Sequence, residues 1–172
     1  MRYIGIRSPQ PGDRACDMES LIIFSARYLF VVPIIILGAY FFIQRRPAQK
    51  RMALFAVPAG LLAYALGLLA GFIYYDPRPF VSEHIIPLIR HAADNGFPSD
   101  HTLLAATLAS VGTYWNKRIG LILWIFTILI AMARVYAGVH HAIDVLASMA
   151  IAIIAVSAWH ALIERVGHTP HR

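Results

Sequence analysis

The chain reads as long apolar runs separated by short polar ones. A bilayer-spanning helix needs about 20 mostly apolar residues. Five stretches approach that length: Leu21 to Ile43, Met52 to Tyr75, His101 to Trp115, Ile119 to Tyr136 and Ala142 to Ile163. The third is short, but the capping sequence before it can extend it. The first holds Pro33 and Arg27, and Arg27 must snorkel to the surface or find a partner. Before Leu21 the chain is polar, with Pro9, Pro11, Gly12 and Asp13. It lacks the apolar centre of a cleaved signal peptide and reads as a loosely ordered or surface-lying tail. The expected fold class is therefore all-α: a polar tail over residues 1–20, then a single polytopic membrane helix bundle over residues 21–172 with about five transmembrane helices.

Composition agrees with the pattern. Of 172 residues, 59% are hydrophobic and 14% charged, whereas roughly a quarter of a soluble domain is charged. The net charge of +6 does not point to nucleic acid, because the basic residues sit in short loops between apolar runs. That placement suits anionic lipid headgroups and the control of topology. Cys16 is the sole cysteine, which excludes an internal disulfide. With five spans, Arg45, Arg46, Lys50, Arg51, Lys117, Arg118, Arg165 and Arg172 share one side, against Arg2, Arg7, Arg14 and Arg90 on the other, Arg78 and Arg134 set apart as candidate site residues. The positive-inside rule puts the richer side in the cytoplasm. The loop from Asp76 to Asp100 and the turn from Ala137 to His141 then face outward.

Three polar patches interrupt the apolar runs, and all three fall at that outer face. The first is Asp76-Pro77-Arg78-Pro79-Phe80. Arg78 offers a planar fork of donors that matches phosphate oxygens, held by prolines on both sides; alone, it reads equally as a snorkelling anchor. The second is Gly96-Phe97-Pro98-Ser99-Asp100-His101. Ser99 or Asp100 can cap the third span, whose N-terminus favours an anion, and His101 can give a proton to a leaving oxygen. The bland alternative is a plain helix cap beside an interfacial histidine. The third runs from Arg134 to Asp144. His140 and Asp144 are four apart, so on a helix they share a face. An aspartate on one imidazole nitrogen fixes the tautomer and leaves the other nitrogen free to attack. Arg134 is costly at a span end unless it has a partner, and His141 points elsewhere. A structural His–Asp pair, or a metal or haem site on His140 or His141, are the competing readings, but no Cys cluster or HExxH accompanies them. His84, His91, His160, His168 and His171 follow no ligand spacing.

Arg78-Pro79, Pro98-Ser99-Asp100-His101 and Arg134…His140…Asp144 resemble the Arg-Pro, Pro-Ser-x-His and Arg-x5-His-x3-Asp motifs of the type 2 phosphatidic acid phosphatase (PAP2) family. The resemblance covers roughly residues 52 to 163. Within the family, the aspartate in Pro-Ser-Asp-His and the small size look like the bacterial undecaprenyl-diphosphate phosphatases of the bacitracin-resistance type. One departure is clear: the family's first motif begins with a lysine seven positions before the arginine, and Gly71 stands there. Arg90 or His91 are the nearby candidates to replace it.

The resemblance implies a metal-independent lipid phosphatase without cofactor. In it His140 attacks phosphorus to form a phosphohistidine, Asp144 orients His140, and His101 protonates the departing oxygen. Arg78, Ser99, Arg134 and Asp100 are the expected phosphate-binding set. The implied substrate is undecaprenyl diphosphate at the periplasmic face of a bacterial inner membrane, recycling the carrier for cell-wall synthesis. The alternatives are phosphatidylglycerol phosphate or phosphatidic acid, phosphotransfer to another lipid, or a non-enzymatic transporter or binding protein. The partners expected are a polyprenyl or phospholipid phosphate and membrane lipids.

Overall fold

The computed structural model describes residues 11–167. Residues 1–10 and 168–172, and with them half of the expected tail, His168, His171 and Arg172, lie outside the described residues. The described chain forms seven helices and no strand: α1 (Pro11–Tyr28), α2 (Val31–Ile43), α3 (Arg46–Ile73), α4 (Pro79–Ser82), α5 (Asp100–Trp115), α6 (Lys117–Tyr136) and α7 (Ala142–Gly167).

Three of these, α3, α6 and α7, are each long and apolar enough to cross a bilayer. The expected first span is instead a broken pair. α1 begins at Pro11, inside the stretch expected as tail, and meets α2 at a bend of 50°. Together the two would make a fourth span. Pro33 explains the break: it lacks the N–H that would bond to Leu29 four residues back, and its ring crowds that carbonyl. The chain therefore turns at Leu29 and Phe30 and restarts with Pro33 in the first turn of α2. α5, the expected third span, has 16 residues. That is about 24 Å of helix, short of a hydrocarbon core of about 30 Å. By length and composition three to four helices qualify as spans, beside the about five expected.

α5 is nonetheless the centre of the bundle. It packs on α3, α6 and α7 and is touched by α2. Its buried positions are mostly small: Ala105, Ala106, Ala109, Ser110 and Gly112. Small residues let helix backbones approach closely where hydrophobic burial gives no advantage over lipid. α6 follows after one residue, Asn116, whose side chain accepts from the N–H groups of Arg118 at 2.9 Å and Ile119 at 3.3 Å. At the tight α5–α6 contact a side chain in place of Gly120 would collide with Thr113.

The surface is apolar and the interior holds the polar groups. Phe72, Ile73, Leu68, Leu121, Ile128 and Ile154 point outward, while Arg78, Ser99, Thr102, Arg134, His140, Asp144 and Ser148 are buried. That inversion fits a lipid surround, in which polar groups must be satisfied inside. The buried polar groups gather at one end: after the C-terminus of α3, at the N-termini of α5 and α7, and at the C-terminus of α6. The antiparallel order of α5, α6 and α7 brings these ends together.

Candidate active site

The long loop after α3 is tied down by one side chain, Asn95. Its Nδ2 donates to the carbonyls of Gly71 (2.9 Å) and Tyr74 (3.1 Å) at the end of α3. Its Oδ1 accepts from the N–H groups of Asp76 (2.9 Å) and Phe97 (3.0 Å). The first and second patches are thereby held side by side, and the Gly96 N–H donates to the Asp76 carbonyl at 2.8 Å. Gly96 lets the segments pack closely: a Cβ would lie a tight 3.2 Å from Asp144 Oδ2 and from the Asp76 carbonyl. The third patch turns through Gly138, whose φ of +73° is a left-handed conformation that favours glycine. His140 falls in this turn, before the first residue of α7 rather than on the helix.

His140 is the point where the patches converge. Its Nε2 lies 3.4 Å from Arg78 Nη1 and 3.2 Å from Arg134 Nη2. Its Nδ1 lies 2.9 Å from the Gly96 carbonyl and 3.3 Å from Asp144 Oδ2. Guanidinium groups only donate, so Nε2 is the accepting, unprotonated nitrogen and Nδ1 carries the proton. The partners thus assign the tautomer. Burial, helped by Arg134 and Arg78 and opposed by Asp144, lowers the His140 pKa below the ordinary histidine value. The imidazole is neutral, with a lone pair between two cations.

The two arginines differ in how they are compensated. Arg78 donates from Nε to Asp94 at 2.7 Å, from Nη1 to the Val139 carbonyl at 2.9 Å and from Nη2 to the Asn95 carbonyl at 3.4 Å. The bond from Arg78 holds the Asp94 carboxyl below the usual carboxylate range. Arg134 is 3% exposed and has no carboxylate partner among the described residues. Its Nη1 donates to the Ala26 carbonyl at 3.3 Å, and its Nε is buried without a hydrogen-bond partner. Ala26 lies in the last turn of α1, where carbonyls are left over and the helix end is partially negative. A buried, incompletely paired guanidinium is expensive unless an anion accompanies it. The geometry can hold a phosphoryl group between the arginines and opposite Nε2.

The remaining expected residues are placed as follows. His101, in the first turn of α5, sets its ring edge-on against Phe30 at 4.8 Å. Neither of its nitrogens is hydrogen-bonded among the described residues. Ser99 occupies the N-cap position of α5, but its side chain does not cap. It is fully buried, and its Oγ accepts from Thr102 at 3.2 Å. Asp100 is exposed beside a groove of about 480 Å³ lined by Gly60, Tyr64, Leu103, Leu104 and Thr107, and it makes no hydrogen bond to either arginine. Arg90 is exposed. His91 faces His140 with ring centroids 6.4 Å apart, and burial followed by Arg78 lowers its pKa. No lysine fits at position 71 as the loop stands, since a Cβ there would be 2.8 Å from the Phe97 carbonyl.

Sequence reasoning missed Asn95, Asp94 and the Gly96 carbonyl, and it set His141 aside. His141 is part of the network: its N–H donates to Asp144 Oδ2 at 2.9 Å and its Nδ1 lies 2.9 Å from Asp76 Oδ2. Asp76, His141 and Asp144 each bring one side-chain oxygen or nitrogen within 4.8 Å of the others. They are engaged with one another and with His140 in hydrogen bonds.

The PAP2 superfamily pattern matches residues 52–167. Undecaprenyl-diphosphatase BcrC of Bacillus subtilis (strain 168) is 35% identical over 137 residues, covering 80% of this chain and 70% of that protein. The bacitracin transport permease protein BcrC of Bacillus licheniformis is 27% identical over 138 residues, covering 80% and 68%. Among solved structures, LpxE of Aquifex aeolicus superposes with a TM-score of 0.67 at 27% identity, covering 90% of this chain and 88% of that one.

Proposed function

Because this chain belongs to the PAP2 superfamily and is a phosphatase of membrane lipids, we propose that it hydrolyses undecaprenyl diphosphate to undecaprenyl phosphate. The observation that carries this reading is the pair of buried guanidinium groups on His140 Nε2, one of them without a carboxylate partner.

His140 Nε2 attacks the terminal phosphorus in line. The bond from that phosphorus to the bridging oxygen breaks, and His101, protonated once the anionic diphosphate is bound beside it, gives the leaving oxygen its proton. Asp144 and the Gly96 carbonyl hold the Nδ1 proton of the phosphohistidine, so the positive charge that develops on the ring is compensated. Arg134 and Arg78 neutralise the equatorial oxygens, the electrostatic work that dominates phosphoryl transfer. His101, now neutral and deprotonated, takes a proton from water, which attacks the phosphohistidine and releases inorganic phosphate. Ser99 serves from the buried start of α5, through its hydroxyl, and Asp100 at the mouth of the site, by position beside His101. The chain sits in a bacterial inner membrane with the site on the outer side, as the excess of basic residues at the opposite helix ends supports.

The test is phosphate release from undecaprenyl diphosphate in detergent with EDTA present, native protein against His140→Ala. Release that survives EDTA and disappears in the variant is expected. Release that needs a divalent ion, or persists in the variant, refutes the assignment of His140. Phosphatidylglycerol phosphate and phosphatidic acid belong in the same panel, and phosphate appearing on an acceptor lipid would mark a phosphotransferase. The relative named as a transport permease motivates a binding reading, which requires bacitracin resistance to survive His140→Ala.

A further inference from the structure

Behind the His140 contact runs a second line of titratable side chains. Asp144 is fully buried, and its Oδ2 is taken by His140 Nδ1 and the His141 N–H. Its Oδ1 is also buried and has no donor. A carboxylate oxygen left bare in the interior is costly. The Asp76 carboxyl lies beside the Asp144 carboxylate, in the cluster within 4.8 Å that also includes His141. Asp76 Oδ2 is 2.9 Å from His141 Nδ1, and His141 Nε2 is 3.4 Å from Glu83 Oε1. Side-chain exposure rises along this line, from 0% at Asp144 through 14% at Asp76 and 26% at His141 to 58% at Glu83. It connects the buried carboxylate to solvent.

We propose that Asp76 is a positioning residue that holds a proton against Asp144 Oδ1, and that His141 and Glu83 exchange this proton with solvent. The role rests on the reading of His140 as a nucleophile oriented by Asp144. Two carboxylates this close do not both ionise without a large penalty. Burial, and after it the Asp144 carboxylate, raise the Asp76 pKa above the ordinary value against the pull of His141. In this arrangement the proton sits on Asp76, which donates to Oδ1 while its other oxygen faces His141 Nδ1. Asp144 stays anionic and aimed at His140. When Asp76 turns the proton to its other oxygen, His141 Nδ1 accepts it as Nε2 gives its own proton to Glu83 and on to water; two adjacent anions then repel and Asp144 leaves His140. The charged and titratable groups around Asp76 are Asp144 on α7, His140 and His141 in the turn before it, Glu83 at the end of α4 by way of His141, and Arg78 in the same loop. The Asp76 backbone is held independently, its N–H by Asn95 and its carbonyl by Gly96.

Asp76→Asn and Asp76→Ala separate the roles. Phosphate release from undecaprenyl diphosphate is measured against pH, alongside the protonated-carboxyl band in infrared spectra at neutral pH. The native enzyme loses kcat as pH rises through the Asp76 titration. The alanine variant loses about tenfold to a hundredfold in kcat at neutral pH with KM little changed, the factor expected when a buried oxygen loses its donor. The asparagine variant recovers about tenfold over alanine and lacks the alkaline fall, since its amide donates to Oδ1 at every pH. The infrared band is present in the native protein and absent from the asparagine variant. If the alanine variant does not fold, the asparagine profile and the band decide. A native protein without the band, an asparagine variant that keeps it or keeps the alkaline fall, or activity lost to a chelator overturns the proposal, the last because a cation would then occupy the place of the proton. If the native protein releases no phosphate, the functional reading fails by itself and the band still tests the proton.

Discussion

Arg134 is the residue whose replacement is most informative, because its charge and its shape are both used. One terminal nitrogen reaches His140 Nε2 and the other the Ala26 carbonyl. A lysine keeps the charge but cannot span both, since it offers a point charge in place of a fork. Arg134→Lys is expected to lower kcat/KM about a hundredfold, the worth of a charge-assisted hydrogen bond of roughly 2–3 kcal/mol, and steady-state kinetics checks it. The pH profile is a second test at this scale. Burial and two neighbouring cations disfavour the imidazolium of His140, so its folded pKa is lower than its unfolded one. The neutral nucleophile therefore survives as pH falls through the ordinary histidine value of about 6.5. The acid limb of kcat/KM should lie below that value; a limb at or above it would assign the titration to another group. Arg78, Arg134, His140 and Asp144 were legible in the sequence because their chemistry is encoded in residue type and short spacing. Asn95 and Asp94 were not, since nothing local distinguishes a loop asparagine that ties two segments to the end of α3 from one that faces solvent.

The helices show where hydropathy is informative and where it is silent. The starts and ends of α6 and α7 lie close to the expected Ile119–Tyr136 and Ala142–Ile163, because charged and turn residues bound both runs. The expected Leu21–Ile43 is met by the bent pair α1 and α2, whose break mean hydropathy does not reveal, because a broken helix is as apolar as a straight one. Pro33 was the available signal. Pro33→Ala supplies the N–H that a continuous helix would give the Leu29 carbonyl, which now accepts from Val32 at 3.0 Å, and favours a straighter pair, which draws the Ala26 carbonyl from Arg134. About a tenfold loss of kcat without a fall in thermal midpoint is expected; an unchanged kcat would mean that the bend does not serve the site. Asn95→Ala removes the bonds that hold the loop to α3. A destabilisation of about 2–3 kcal/mol, seen as a lower midpoint and as faster proteolysis between α3 and α5, is the expected result.

At the scale of the molecule, the described helices place the candidate site at one end and the connections rich in arginine and lysine at the other. The family and the outward-facing apolar helices make this a multi-pass membrane protein. The orientation is tested by single cysteines placed at Arg90 and at Lys117 after Cys16→Ser. An impermeant thiol reagent should label position 90 in intact cells and position 117 only after permeabilisation; the reverse pattern would put the site in the cytoplasm. The sequence disclosed the helical bundle and α5 within it, as the expected stretch His101 to Trp115, but not that α5 is its central member, a place it owes to small residues that only packing reveals. The bent pair has a further consequence. It precedes the matched region, residues 52–167, yet it supplies the Ala26 carbonyl to Arg134 and the Phe30 ring to His101. The reacting groups and the wall that encloses them thus descend from separable stretches of the gene. Exchanging the first 45 residues between relatives, with the bend kept, would transplant the enclosure while the reacting groups stayed in place, since the Ala26 contact is a backbone carbonyl that any sequence supplies, and that is where substrate choice can diverge.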